Sequence, residues 1–341
     1  MGDKTGDRQS CQRQTANLPR RAGWLALIAV SLAFTGAARG NDYPSRSVRV
    51  IIPFGPGGVT DIVARIVFDT MAKVLGQPTV IVNRPGASGT IGNEFVADAP
   101  PDGYTLLVND PSGPLATGVT LYPSRHFDPT ERLEAIVPFG TSGAVLVVSD
   151  KFPAKTLADF VALAKQKPGE LLYGSTGLGT PGHLNGALFD RIVGIDARHV
   201  PYRVGSQGVT DLISGRLSFW IIPLPAVLPY IQNGQLRALA VAGEHRLQDL
   251  PEVPTVKESG FGDYDVSTMY ALFAPKGTAP DIVATLKRAT DRVLSIDDVQ
   301  QRLAKAGVEP MTGSPELVGK ILKAKIEQWA DVIHGAGITP E

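Results

Sequence analysis

The chain has 341 residues, 33 basic and 33 acidic side chains, 43% hydrophobic residues and one cysteine, Cys11. This length and hydrophobic content suit about two domains with cores large enough to fold without disulfides. A single cysteine excludes disulfide-stapled modules, and a balanced charge without a basic stripe excludes nucleic acid as an expected partner.

Residues 1–40 have the pattern of a secretory signal peptide. A basic start precedes an apolar run at 22–34, and small residues lead up to Gly40. The run is shorter than the roughly 20 residues that cross a bilayer, so we expect an exported protein without a membrane anchor. Cleavage would remove Cys11 and leave a net charge of about −4, with no thiol for cysteine catalysis or lipidation.

Downstream of this leader, strand-like runs alternate with segments of helical period, which predicts an α/β architecture built on parallel sheets. The first predicted group reads as βαβαβ and comprises 48–54, 61–75, 79–82, 90–97 and 104–108. The second group comprises 144–148, 157–165, 171–174, 183–193, 199–202, 208–214 and 217–222. The tail is predicted to be helical at 280–294, 298–306 and 315–333.

Four glycine-rich turns follow predicted strands, at 53–61, 83–92, 109–113 and 173–183. Backbone N–H groups and the helix dipole at such turns attract anions. All four turns lie at the carboxyl ends of strands, where open α/β sheets bind ligands. They contain almost no lysine or arginine, so backbone groups and hydroxyls would hold the ligand. For any one turn, glycine and proline that only form a tight connection remain an equal alternative.

Two polar side chains near predicted helix starts allow both a structural and a functional interpretation. Asp61 complements the helix dipole as a cap, which we favour, or it attracts a ligand ammonium and repels a carboxylate. His183 either donates a hydrogen bond to an anion or packs in the interior.

Enzyme motifs give little support for catalysis. Gly177, Gly179 and Gly182 imitate a dinucleotide fingerprint, but Asp196 precedes the next strand and would lie at the wrong sheet edge for a ribose. The sequence contains no G-x-S-x-G, P-loop or H-E-x-x-H motif, and its five histidines lack metal-ligand spacing. We therefore expect no catalytic residue, no metal and no cofactor.

Several motifs in a fixed order resemble the Bug receptors, the periplasmic substrate-binding proteins of tripartite tricarboxylate transporters. They are P-F-G-P-G-G at 53–58, N-R-P-G at 83–86, G-T-I-G at 89–92, P-D-G-Y-T-L at 101–106, G-L-G-T at 177–180 and V-P-T-V at 253–256. The likeness runs from about residue 43 to the C-terminus. It implies a type II periplasmic-binding-protein fold, in which two α/β domains joined by a hinge close on a small carboxylate.

The resemblance also implies domain boundaries and site residues. Domain one would comprise 41–142 and 271–341, and domain two 143–270, with the interdomain cleft between them. Family ligands are held there by main-chain groups and ordered waters. The matching positions in this chain are Phe54, Gly57, Gly58, Thr60, Ser88, Ser112, Ser175, Thr176, Gly179, Thr180, His183 and Tyr202.

One segment departs from the family pattern. Where relatives often carry an Asp-Asn pair and a serine, this chain has I-P-L-P-A at 222–226. By the resemblance, this segment would line the cleft as an apolar wall with Trp220 or Ile222. That wall disfavours an amino acid or a second polar head, so the hypothesis is a monocarboxylate or aromatic carboxylate ligand.

The expected function is therefore that of a periplasmic, monomeric solute receptor that passes a small carboxylate to transmembrane permease subunits. One alternative is a secreted hydrolase or lyase that uses His183 with Thr180 or Ser175. Another is a sensor that presents its closed form to a signalling partner.

Overall fold

A computed structural model describes residues 43–339, and the predicted signal peptide lies outside the described residues. Its strands are β1 (Val48–Ile52), β2 (Thr79–Asn83), β3 (Thr105–Asn109), β4 (Leu133–Ser142), β5 (Ala144–Ser149), β6 (Leu171–Ser175), β7 (Ala197–Pro201), β8 (Trp220–Pro223), β9 (Leu236–Val241), β10 (Thr268–Pro275) and β11 (Glu309–Pro310). Its α-helices are α1 (Val59–Leu75), α2 (Thr90–Ala97), α3 (Pro114–Leu121), α4 (Pro129–Arg132), α5 (Leu157–Gln166), α6 (Pro181–Val193), α7 (Gly205–Ser214), α8 (Leu228–Gln232), α9 (Pro280–Leu294), α10 (Asp297–Lys305) and α11 (Pro315–Gly335).

The larger sheet has six strands in the order β11-β4-β10-β3-β1-β2. β1 pairs in parallel with β2 and β3, with Val50 opposite Ile81 on one side and Leu106 on the other. Val50 is buried against the apolar face of α1, including Val67 and Phe68, because hydrophobic residues recur there at helical spacing. The parallel pairing brings the carboxyl ends of β1, β2 and β3, and the turns that follow them, to one edge.

The remaining strands form two smaller sheets, β8-β5-β9 and β6-β7. β5 pairs antiparallel with β8 and β9, and β6 pairs in parallel with β7. A bridge between Tyr173 and Phe219 connects these two groups. Phe219 lies 5.0 Å from Phe160 and 6.1 Å from Phe189 between ring centroids, so an aromatic cluster joins this sheet to α5 and α6.

Most predicted elements are present, but the predicted parallel sheets contain antiparallel strands and seven elements were missed. The missed ones are α3, α4, α8, β4, β9, β10 and β11, and both β4 and β10 run antiparallel to their neighbours. Pro138 and Gly140 conceal β4 in the sequence because such residues usually interrupt a strand. In the structure they flank an irregularity in the β4–β10 register, where a proline is tolerated.

Strands up to Ser142 and from Thr268 onward belong to the six-stranded sheet, and those in between belong to the two smaller sheets. The domain limits at 142/143 and 270/271 stay a prediction. Among residues 43–339, no helix combines the length and apolarity that a membrane span requires.

Candidate functional site

A cavity of about 440 Å³ lies where turns from the two sheets meet. Its wall includes the start of α3 after β3, the starts of α6 and α7, the strand β8 and the beginning of β10. The polar residues on this wall are Asp110, Ser112, Thr117, Thr176, Asn185, Ser206, Trp220, Tyr230, Ser267, Thr268 and Trp329. None of the described residues on the wall is lysine, arginine or histidine.

Three helix starts open onto this cavity. Gly113, Gly182 and Gly205 line it at the beginnings of α3, α6 and α7. The first N–H groups of a helix have no partner within the helix, and the dipole makes that end partly positive. The cavity is therefore electrostatically suited to an anion although it lacks a cationic side chain.

Asn185 and Trp220 add side-chain donors to the wall. Asn185 is 5% exposed and Trp220 is 2% exposed. Neither the Asn185 amide nor the Trp220 indole nitrogen makes a hydrogen bond to another residue in 43–339. A Cβ atom at Gly182 would lie 3.0 Å from Trp220 Nε1, so glycine lets this helix start approach the indole. Both side chains can donate to a ligand oxygen in the cavity.

Sequence reasoning missed Asn185, although a signal for it was present. Residues three apart share one face of a helix, so Asn185 is placed beneath Gly182 in the predicted anion-binding turn. Trp220, Ile222, Pro223 and Ala226 of the predicted apolar wall all line the cavity, and their contact with a ligand stays a prediction.

Two of the twelve predicted site residues, Ser112 and Thr176, are on the wall of this cavity. Tyr202 lies behind the wall: its ring stacks on Trp220 at 6.0 Å and its hydroxyl donates to Asp211 at 3.1 Å. The other predicted residues are outside the wall, and contact between them and a ligand stays a prediction; they are Phe54, Gly57, Gly58, Thr60, Ser88, Ser175, Gly179, Thr180 and His183.

The turn after β1 is organised by Asp61. This carboxylate is 3% exposed and accepts hydrogen bonds from the Gly57 N–H at 3.0 Å and the Asn83 amide at 3.0 Å. Arg65 donates to both carboxylate oxygens at 2.9 Å, and this pairing lowers the pKa of Asp61 to about 2. Gly57 has φ +84, a left-handed conformation that favours glycine. These contacts support the structural interpretation of Asp61.

Asp61→Ala is expected to lower the free energy of unfolding at neutral pH by about 1–3 kcal/mol, because the N–H groups that now donate to the carboxylate lose their acceptor. Since folding lowers this pKa, the contribution is present above the unfolded value of 3.8 and is lost as the pH falls towards about 2. Urea unfolding at several pH values measures it. Asp69→Ala, at an exposed position of the same helix, is the control, and equal losses in both variants would contradict the assignment.

The turn after β6 uses its polar side chains internally. The Thr180 hydroxyl donates to the Gly177 carbonyl at 2.7 Å, and Ser175 Oγ lies 2.5 Å from His199 Nε2. The Gly179 N–H donates to His183 Nδ1 at 3.1 Å, and burial lowers the pKa of His183 to about 4. His183 is therefore neutral at physiological pH, and its ring packs on His199 at 3.8 Å. The His183 pairing with Thr180 or Ser175 that a hydrolase would need is not formed.

A second cavity of about 880 Å³ shares Ser112 and Ser267 with the first. Ser112 Oγ lies 2.9 Å from the Ser267 carbonyl oxygen, so this contact lies between the two spaces. The larger cavity is lined by charged side chains that include Arg246, Asp265 and Lys325.

Comparison with known proteins shows which family the chain belongs to. The profile of the tripartite tricarboxylate transporter family receptor matches residues 63–338. The chain belongs to this receptor family. Protein BugT of Bordetella pertussis is 36% identical to the receptor over 316 residues, which covers 92% of this chain and 97% of BugT.

Two solved structures are also similar to the receptor. An R. palustris protein solved with adipate has 34% sequence identity and a TM-score of 0.76, covering 88% of this chain and all of that one. MatC from Rhodopseudomonas palustris with bound malate has 31% identity and a TM-score of 0.74, covering 85% of this chain and all of MatC. These matches confirm the predicted fold class of a periplasmic solute-binding protein. The receptor binds a solute and is not an enzyme.

Proposed function

We propose that this receptor binds a small organic carboxylate in the 440 Å³ cavity and delivers it to the permease of a tripartite tricarboxylate transporter. The observation that carries this proposal is the set of unpartnered donors on the wall. Asn185 and Trp220 present N–H groups beside the starts of α6 and α7, where an anion is favoured. Relatives solved with adipate and malate support a carboxylate ligand.

The apolar part of the wall narrows the ligand class. Val209, Trp220, Ile222 and Leu184 cover much of the cavity surface. A hydrocarbon or aromatic portion buried there gains roughly 25 cal/mol per Å² of apolar surface removed from water. The proposed ligand is therefore a monocarboxylate with an aliphatic or aromatic body.

Ligand binding would stabilise a closed arrangement of two domains, 41–142 with 271–341 and 143–270. A ligand that touches both sides of the cavity binds the closed form better and shifts the equilibrium towards it. The closed receptor, a periplasmic monomer exported through residues 1–40, would then dock on the permease.

A thermal-shift screen tests the ligand class. At a ligand concentration of about 100 Kd, binding adds about 2.7 kcal/mol to the free energy of unfolding. For a protein of this size, that is expected to raise the Tm by roughly 4 °C. The panel contains aliphatic and aromatic monocarboxylates, dicarboxylates, citrate, sugars and amino acids. A shift with monocarboxylates and recovery of the unchanged compound support the proposal, whereas a shift with sugars alone, or with no carboxylate, contradicts it.

A further inference from the structure

Asp110 is the one acidic residue among the described residues that line the 440 Å³ cavity. It directly follows β3 and precedes the start of α3, so it enters the cavity from the six-stranded sheet. Asp110 is 6% exposed, and an acidic side chain at such depth normally needs a partner. Neither the candidate carboxylate-binding groups nor the apolar wall accounts for it.

The two carboxylate oxygens of Asp110 have different surroundings. Oδ1 accepts hydrogen bonds from the Ser112 N–H at 2.8 Å, the Ser112 hydroxyl at 2.5 Å and the Met269 N–H at 3.2 Å. Oδ2 makes no hydrogen bond to any residue of the described chain, and it is not among the fully enclosed atoms without a partner. A Cβ atom at Gly113 would lie 2.7 Å from Oδ2, so the glycine leaves room around this oxygen.

Its local contacts hold Asp110 in one orientation. Three donors fix Oδ1, and the carbonyl of Ser112 in turn accepts from Trp329 Nε1 at 2.7 Å. Oδ2 is thereby held beside Gly113, which also lines the cavity, as an acceptor whose position does not depend on the ligand. An acceptor of this kind matches a ligand hydroxyl or ammonium and repels a second carboxylate.

We propose that Asp110 selects a monocarboxylate that also carries a hydrogen-bond donor, a hydroxyl or an ammonium, and rejects ligands that place a second carboxylate against Oδ2. This inference rests on the proposed function and specifies the ligand of the same cavity. It replaces the sequence-based expectation that the apolar wall disfavours a second polar group, because Asp110 lies on the same wall. The ligand's carboxylate faces Asn185 and the starts of α6 and α7, and its donor faces Asp110. Asp110 is then a specificity-determining residue.

Matched ligands separate the donor from the rest of the molecule. The first series is hexanoate, its ω-hydroxy and ω-amino derivatives, and adipate. The second is benzoate, para-hydroxybenzoate, para-(aminomethyl)benzoate and terephthalate. In at least one series, we expect calorimetry at neutral pH to show that a hydroxy or amino ligand binds about 10- to 100-fold more tightly than the diacid. Comparison of the hydroxy and amino ligands shows which donor is preferred.

Asp110→Asn keeps the size of the side chain and removes its charge. The variant is expected to bind the diacid at least about 10-fold more tightly than the unsubstituted receptor does, and to lose the preference for the donor-bearing ligand. Asp263→Asn, which removes an exposed carboxylate outside this cavity, is the matched control and should keep the original preference. Urea unfolding of each variant confirms that it is folded.

Acidification provides a second readout. Burial raises the pKa of Asp110 to about 6, while Ser112, Met269 and the positive charge of Lys325 oppose that rise; Tyr270 also faces the carboxylate. A protonated Asp110 can donate to a carboxylate, so diacid binding should tighten as the pH falls through about 6, and Asp110→Asn should lack this dependence.

The outcomes distinguish a failure of the Asp110 proposal from a failure of the proposed carboxylate binding. Equal affinity for parent, donor-bearing and diacid ligands, unchanged in Asp110→Asn, overturns the role of Asp110 and leaves carboxylate binding intact. Failure of every ligand to bind either protein overturns the proposed function and this inference with it.

Discussion

Asn185→Leu is expected to weaken carboxylate binding about 10- to 100-fold without loss of stability, because a hydrogen bond to a charged group contributes about 1.5–3 kcal/mol. Asn185 is almost completely buried in the first turns of α6, and its amide has no partner in the described part of the chain. A ligand carboxylate would supply that partner. Leucine has a similar size and needs none, so the free energy of unfolding should stay constant or rise.

The Asn185→Leu prediction is specific because ligand binding should weaken while the free energy of unfolding stays constant or rises. Asn93→Leu is a matched comparison, since Asn93 is also buried but accepts a hydrogen bond from the Asn109 amide at 2.8 Å. Asn93→Leu should lower the free energy of unfolding by about 1–3 kcal/mol, because the buried Asn109 amide then has no acceptor. Titration calorimetry and urea unfolding supply both quantities. If Asn185→Leu binds the ligand normally, or unfolds as easily as Asn93→Leu, Asn185 does not hold the carboxylate.

Asp190→Asn is expected to change the pH dependence of stability more than any other single substitution considered. Asp190 lies in α6, where Oδ2 accepts from the Ala197 N–H at 3.1 Å and Oδ1 is buried without a partner among the described residues. Burial, with a smaller contribution from nearby Asp196, raises the pKa of Asp190 to about 7. The folded protein therefore holds this proton more tightly than the unfolded chain, whose reference pKa is 3.8.

The direction of the effect follows from that difference. The contribution of Asp190 to stability is fully present below pH 3.8 and is lost as the pH rises through about 7. Asparagine does not titrate, so its advantage over aspartate should grow by up to about 4 kcal/mol between about pH 4 and pH 8.

Urea unfolding of both proteins across this pH range measures the predicted change. Asp331→Asn, at an exposed position in α11, should leave the pH profile unchanged. Parallel profiles for Asp190→Asn and the unsubstituted protein would show that Asp190 is solvated or paired.

The turns were predictable from the sequence because their signals are local. Glycine and proline after an apolar run mark the end of a strand, and the segments around 53–61 and 173–183 lie at such ends. The resemblance implied that the segment 222–226 lines the ligand cleft with Trp220 or Ile222, and Trp220, Ile222, Pro223 and Ala226 line the cavity.

The direction of individual side chains was not predictable, because it depends on contacts between distant segments. Thr180 bonds within its own turn, while Ser175 is engaged by His199 from the neighbouring strand. Asp110 looked like one more turn residue, yet the return of β10 beside β3 encloses it and supplies the Met269 donor. The sequence analysis missed β10, so it could not predict that Asp110 is buried.

The most direct test is a crystal structure of the receptor with the carboxylate that gives the largest thermal shift. We expect the ligand to occupy the 440 Å³ cavity, with its carboxylate within hydrogen-bonding distance of the Asn185 amide and its body against Trp220. A ligand bound in the larger cavity beside Arg246, or away from Asn185, would contradict it.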